Sequence, residues 1–438
     1  MSSIWRIFKR CWRRLYALCS DADRLYLLRS ATFYAKSRVV AGRKASRNCT
    51  QVNLDNQQRQ GNIVACCCET FSWGDHFMGA MDLKCALRTL YEEIVEFRFE
   101  YPLIAVPEAG PKESLHYYWY KYSATPPSRP AIRLDANGIA QCWTRANGTV
   151  YRPGFVAMYA LDNLEKYLRE GDRAHLGIFL NQINWLEEHS VTRTDGAVVW
   201  PNNFDLWEGT TLLRAPWLSS HVQGLVISAL VRALRITRRA SLLELLKGSA
   251  RVYQLDCECN GLRVRSTGHV VYTERPGFPA PGIMDGFMTS LLGLYDLYIE
   301  TGEAEVYDLF RQGTEGLRYF LPRWDYRKKW SFYANRAYLC SPGYHYLNRL
   351  LLIVLARLTG CASFAEYAES WNHDRLSALD RAEIYLGFLL TKNARRLRNR
   401  TWVRKAAVVS NPPAENLSIS ASSSSTCDIF QPPSCPQR

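Results

Sequence analysis

The run GIMDGFMTSLLGLYDLYIE-TGEA-EVYDLFRQGTEGLRYFL, residues 282–321, decides the fold. Apolar residues recur at three- and four-residue spacing on both sides of TGEA, the period of a helix with one face against a core. Glycine follows the first periodic run, where a helix commonly stops. The segment therefore reads as two amphipathic helices joined by a tight turn.

The same arrangement occurs three more times. Upstream lie FVAMYALDNLEKYL, REGDRA and HLGIFLNQINWLEEH (155–189), then SSHVQGLVISALVRAL, ITRRAS and LLELLKGSARVYQL (219–255). Downstream lie YHYLNRLLLIVLARL, TGCAS and FAEYAESW (344–371). The turns centre near Gly171, Arg238, Gly302 and Gly360, successively 67, 64 and 58 residues apart, the mark of stacked helical hairpins. None of these hairpins can bury its apolar face alone, so the expected fold is mainly α, an α/α toroid of helical hairpins. Long connections at 194–215, 260–282 and 324–343 would form one rim, where ligand-binding groups usually sit.

The hairpins occupy a domain expected over 151–405. Before it, residues 61–150 carry short aromatic and β-branched runs such as HYYWYKY (116–122), and AIRLD followed by ANG reads as a strand entering a turn. This predicts a small β-rich region. Residues 1–60 form a basic segment and linker, and residues 406–438, rich in Ser and Pro, read as a disordered tail.

With 47% hydrophobic and 22% charged residues, the composition suits a packed globular body. A formal net charge of +14 favours polyanionic partners, among which charge alone does not choose. The 14 cysteines show no zinc-site spacing, since Cys66, Cys67 and Cys68 are consecutive and Cys257/Cys259 make a lone CxC; free thiols and no metal are expected. No apolar run approaches the roughly 18 residues of a membrane helix. Charges interrupt IWRIFKRCWRRLYALC at the N-terminus, which argues against a secretory signal but allows a basic amphipathic surface helix.

Three segments gather chemistry. APWLSSHVQG (215–224) places Ser219 and Ser220 ahead of a helix with His221 and Gln223 in its first turn, suited either to a carboxylate or simply to capping. YTERPGFPAPG (272–282) is a proline-rich loop carrying Glu274 and Arg275, an acid/base candidate or a surface ion pair. WSFYANRAYLCSPGYHYLNRL (330–350) concentrates Tyr333, Arg336, Tyr338, Tyr344, His345 and Tyr346, which could be core aromatics, sugar-stacking platforms or proton carriers.

Taken in order, these motifs resemble the C-terminal domain of the D-glucuronyl C5-epimerase family. The resemblance covers roughly 151–371, including the weaker YRPGFVAMYALDNLEKYL entry helix that begins at Tyr151, and MDGFMTSLLGLYDLY is its most distinctive piece. It implies inversion at C5 of uronic acid residues, of the D-glucuronate to L-iduronate type, in an acidic heparosan-like polysaccharide. Removing a proton beside a carboxylate requires a base, a donor on the opposite face and positive charge on the carboxylate. By motif position the resemblance implies Tyr344 and Tyr333 as the acid/base pair, Glu274 as base or orienting group, and Arg336 as carboxylate clamp. Gln223, Tyr151 and His345 join the substrate-binding set. The family's Glu-Tyr-Pro is Glu274-Arg275-Pro276 here, which makes Arg275 a second candidate carboxylate ligand, and a family histidine is replaced by Asn348.

The resemblance implies no cofactor. An acidic polysaccharide is the expected partner rather than nucleic acid, with peripheral membrane contact through the basic N-terminus, a homodimer, and a cytoplasmic or inner-membrane-surface location as further expectations. A uronate lyase, which starts with the same proton abstraction, and an inactive glycan-binding relative are the alternatives. A glycoside hydrolase would need a second acid, for which only Asp205 and Glu208 stand out.

Overall fold

The computed structural model describes residues 133–399 except 145–146, 209–210, 278 and 335–337, together with Tyr91 and Phe97. The basic segment 1–60, most of the region 61–150, Arg336 and the tail 406–438 lie outside the described residues.

The described chain opens with a three-stranded antiparallel sheet. β1 (Arg133–Leu134) pairs with β2 (Ala140–Thr144), which pairs with β3 (Gly148–Val150). The Asp135 carboxylate accepts the amide protons of Asn137 and Ile139, and so closes the turn between the first two strands, where AIRLD-ANG places it.

Eight helices then form four hairpins: α1 (Pro153–Glu170) with α2 (Arg173–Glu188), α3 (Ser220–Thr237) with α4 (Ala240–Ser249), α5 (Met284–Thr301) with α6 (Ala304–Trp324), and α7 (Pro342–Thr359) with α8 (Ala362–Ser370). The first helix of every pair ends at a residue in the left-handed region, Gly171, Arg238, Gly302 and Gly360, whose amide bonds back to the fourth residue before it. These are the four turn centres expected from the sequence. Arg238 takes this conformation at φ 57° with a side chain, the only one of the four that is not glycine.

α1 packs on α3, α3 on α5 and α5 on α7, while α2, α4, α6 and α8 pack behind their own partners. The burial pattern explains the order. α3 is buried on almost every side from Val222 to Leu234 and α5 from Met284 to Leu297, as helices covered on both faces must be. α6 instead buries one stripe, Val306, Leu309, Phe310, Gly313, Gly316, Leu317, Phe320, Leu321 and Trp324, and turns its opposite face to solvent. The result is an arc of inner helices lined by outer ones.

The long connections are partly ordered as β ladders: β4 (Val191–Thr192) with β5 (Val198–Val199), β6 (Leu206–Glu208) with β7 (Thr211–Leu213), β8 (Arg263–Ser266) with β9 (His269–Tyr272), and β10 (Asp325–Tyr326) with β11 (Trp330–Ser331). Strands this short show too little alternation to be read in sequence. A final helix, α9 (Ala378–Asn399), lies within the span expected for the hairpin domain but outside its four pairs. The expected free thiols are found at Cys142, Cys257, Cys340 and Cys361, but Cys259 is disulfide-bonded, which the lone CxC spacing did not signal. No helix among the described residues is long and apolar enough to cross a membrane.

The two helices α3 and α5 cross in close contact. A Cβ on Gly293 would stand 2.5 Å from the Gly224 Cα, and one on Gly224 would stand 2.6 Å from the Ser290 Cα. Nearby, Arg232 and Asp296 form a buried ion pair across the same two helices at 2.6 Å. Gly293→Ala is expected to destabilise the protein by about 1–3 kcal/mol through overpacking against backbone. Gly177→Ala, in the exposed face of α2 with open space around it, should instead stabilise by about 0.5–1 kcal/mol. Urea denaturation of the two variants checks both signs.

Candidate functional site

The inner helices bring their N-terminal ends together, contact by contact. Gly154 in the first turn of α1 lies against Val222 in the first turn of α3, with room for little more than a hydrogen between them. Ser220, the first residue of α3, donates its amide to the Thr273 carbonyl at 3.0 Å and its hydroxyl to the Tyr272 carbonyl at 3.1 Å. This pins the start of α3 to the residues that precede Glu274. An antiparallel bridge between Ile283 and Ala334 joins the start of α5 to the segment leading into α7. Helix N-termini carry partial positive charge, so this end of the arc favours anionic groups.

Glu274 stands at the centre of these contacts and is 6% exposed. Thr273 shapes the turn around it, its hydroxyl donating to the Arg275 carbonyl at 2.9 Å and accepting from the Arg275 amide at 3.3 Å. The carboxylate lies over Gly286 in the first turn of α5, where any Cβ would collide with it. Burial pushes the Glu274 pKa up to about 8, and the nearby Asp285 carboxyl adds to the rise while Arg152 opposes it. Arg275 Nε is 3.4 Å from Glu274 Oε1, a loose contact that does not offset burial. The pair Glu274–Asp285 thus keeps a proton near neutral pH, the state of a carboxyl ready to exchange one.

The tyrosines approach from the α7 side. Tyr333 and Tyr344 meet edge to face with ring centroids 5.2 Å apart, and Tyr338 stacks on Tyr333 at 5.1 Å. Tyr333 is buried. Burial raises its pKa well above 10, with Arg275 pulling against that rise and Tyr344, Tyr338 and Glu274 adding to it. Tyr333 therefore stays a neutral phenol able to donate a proton or hydrogen bond. Tyr344 is only partly buried, at the first turn of α7.

Other expected residues fall elsewhere. His345 is 0% exposed and both of its ring nitrogens are engaged: Nδ1 accepts from the Ser331 amide at 3.1 Å, and Nε2 donates to the Trp371 carbonyl at 3.0 Å. The ring stacks on Trp330 at 3.6 Å, and burial lowers its pKa to about 3. It offers no atom to a ligand. Gln223 donates through Nε2 to the carbonyls of Val198 and Ser249, at 2.8 and 2.9 Å, and so ties α3 to β5 and the end of α4. Tyr151 is exposed; its hydroxyl donates to Asp135 at 2.6 Å and its ring stacks on Trp185. Asp205 ties down its own loop, accepting from Arg214 and from the Ala215 amide. Asn348 donates to the Ser331 hydroxyl at 3.2 Å, supporting the residue that holds His345.

Three residues with no role assigned from sequence belong to this end of the arc. Asp285 is the second acid, and reads in sequence as an ordinary acidic residue in a helix's first turn. Arg152 directly precedes α1, and its charge acts on both Glu274 and His221. His221 stands out in sequence only as a polar residue at a helix start, and burial, with Arg152 adding, lowers its pKa to about 3.

In the folded state the Glu274 carboxyl holds its proton up to about 8, against the usual 4.5, so between these values the folded protein binds more protons than the unfolded chain. This contribution makes stability fall as pH rises from about 4.5 to about 8 and levels off above. Glu274→Gln should remove it, and the stability of the variant relative to the parent should increase over that window when unfolding is followed at several pH values.

Residues 194–373 match the family model described as D-glucuronyl C5-epimerase C-terminus. A stretch covering 40% of this chain is 25% identical over 178 residues to an uncharacterised protein of Methanocaldococcus jannaschii and spans 57% of it. A D-glucuronyl C5-epimerase of Caenorhabditis elegans is 28% identical over 163 residues, 34% of this chain and 26% of that protein. The chain thus spans less than two thirds of either relative. A crystal structure of D-mannose isomerase overlays at a TM-score of 0.33 and 12% identity, covering 69% of this chain and 70% of that one, too slight a likeness to carry an argument. Glu274, Tyr333 and Tyr344 all fall inside the matched segment, and this chain therefore carries a C-terminal domain matching the D-glucuronyl C5-epimerase family.

Proposed function

We propose that the chain is a C5-epimerase of uronic acid residues in an acidic, heparosan-like polysaccharide, working without a cofactor. The observation that carries this reading is the buried Glu274–Asp285 carboxyl pair, set beside the Tyr333–Tyr344 edge-to-face pair where the inner helices begin. The family match supports the reaction class, and the net charge of +14 supports an acidic polymer. We read the arc α1–α3–α5–α7 as part of an α/α toroid whose cleft opens at this end.

The C5–H bond of a uronate is made acidic only by its neighbouring carboxylate, so its proton must go to a base already in contact. Glu274 is assigned as the group that takes it, in the form of the site whose shared Glu274–Asp285 proton rests on Asp285, so that the Glu274 carboxylate is free to accept. Electron density then moves onto the substrate carboxylate, where helix N-termini and guanidinium groups stabilise the enediolate. Tyr344, the less buried phenol, returns a proton to the opposite face of C5. Tyr333, held neutral by burial, acts as a hydrogen-bond donor that orients Tyr344 and the sugar.

Incubating the full chain with heparosan in deuterated water is expected to place deuterium at C5 and to form iduronate. Tyr344→Phe and Glu274→Gln should each lower exchange by about 10²–10⁴-fold while binding is retained. New unsaturated ends would mean a lyase instead. Binding with neither exchange nor cleavage would overturn the catalytic reading.

A further inference from the structure

We propose that Arg152 and His221 form the subsite that takes the substrate's uronate carboxylate. The inference deepens the epimerase reading and rests on it. The carboxylate needs a guanidinium or an equivalent set of donors, because negative charge accumulates there when the C5 proton leaves. Of the two arginines suggested by the motifs, Arg336 lies outside the described residues, and Arg275 already faces the Glu274 carboxyl at 3.4 Å.

Arg152 is differently placed. It is partly buried just ahead of the first turn of α1, with its guanidinium over the Phe155 ring at 5.7 Å, and it forms no ion pair among the described residues. Its charge acts on Glu274 from the α1 side, whereas Arg275 reaches the same carboxyl from within its own loop. The Gly154–Val222 contact holds the beginnings of α1 and α3 together, which brings His221 alongside Arg152.

His221 supplies the second, independent observation. Its Nδ1 is buried with no hydrogen-bond partner. A buried polar atom left in this state is costly, by roughly 1–3 kcal/mol, unless a ligand, an ion or water meets it. His345 shows what this protein does with a histidine used only for structure: both nitrogens are bonded and the ring is stacked. His221 has the opposite treatment. A neutral imidazole offers one N–H to a carboxylate oxygen, while the Arg152 fork can take both oxygens. The proton kept by the Glu274–Asp285 pair spares an incoming carboxylate the repulsion of two full negative charges. With the carboxylate held by these two donors, the sugar would be oriented for proton transfer between Glu274 and the tyrosines.

The test is calorimetric binding of a heparosan hexasaccharide and of its carboxyl-reduced counterpart to the full chain, alongside Arg152→Gln, Arg152→Lys and His221→Ala, each checked for an unchanged melting transition. The parent protein should prefer the acidic hexasaccharide by about 100-fold, and Arg152→Gln should lose about 30-fold or more of its affinity for that hexasaccharide alone. His221→Ala should lose about 5- to 20-fold, and Arg152→Lys should fall between the parent and Arg152→Gln because it keeps the charge without the fork. Variants that bind the acidic hexasaccharide as the parent does would overturn the subsite and leave the epimerase reading standing. A parent protein that binds neither oligosaccharide would overturn that reading and the subsite with it.

Discussion

The close crossing of α3 and α5 is the constraint on which the rest of the described structure depends. Gly224 and Gly293 leave the two backbones almost in van der Waals contact, so neither helix can slide or rotate without a collision. The buried Arg232–Asp296 pair fixes the same register chemically, since separating the two would leave an uncompensated charge in the core. With this pair of helices set, their outer partners and the neighbouring inner helices pack against faces already in place.

That register also sets the height of the two N-termini. Ser220 meets the residues just before Glu274, and the Glu274 carboxylate lies over Gly286, because α3 and α5 begin at the same end of the crossing. Two glycines in the crossing and one beneath the carboxylate therefore serve one purpose, which is to let backbone approach where a side chain would keep it away. The buried acid is raised to about 8 by the same closeness, as the surroundings that admit it exclude water. The packing and the raised carboxyl have a single cause.

Two histidines near the starts of inner helices differ in how their ring nitrogens are satisfied. His345 and His221 both stand in the first turn of an inner helix, and burial lowers the pKa of each to about 3. His345 packs between Trp330 and the Trp371 carbonyl, behind the tyrosines, and is fully bonded there. His221 lies on the side toward α1 and Arg152, with one nitrogen unsatisfied. Residue type and helix position are the same in both, and their neighbours decide the difference.

Much of the architecture was legible in the sequence because it follows from local rules. Apolar spacing marked the helices, and the turn centres at Gly171, Arg238, Gly302 and Gly360 marked the hairpins, since the end of a helix is a local event. Glu274, Tyr333 and Tyr344 were singled out as candidates through their motifs. The β ladders were not, because two- to four-residue strands have no period to read, and the disulfide at Cys259 was not, because its spacing carried no signal. Neither Asp285 nor Arg152 could be assigned, as each acts on Glu274 only once the chain has folded. The sequence by itself determined which segments pair as helical hairpins and which acid and phenols are candidates. Only the tertiary structure decided that Gln223 and His345 are bonded within the core while Asp285 and Arg152 act on Glu274 and Arg152 on His221, because burial and hydrogen-bond satisfaction depend on the neighbours a side chain meets after the helices have packed.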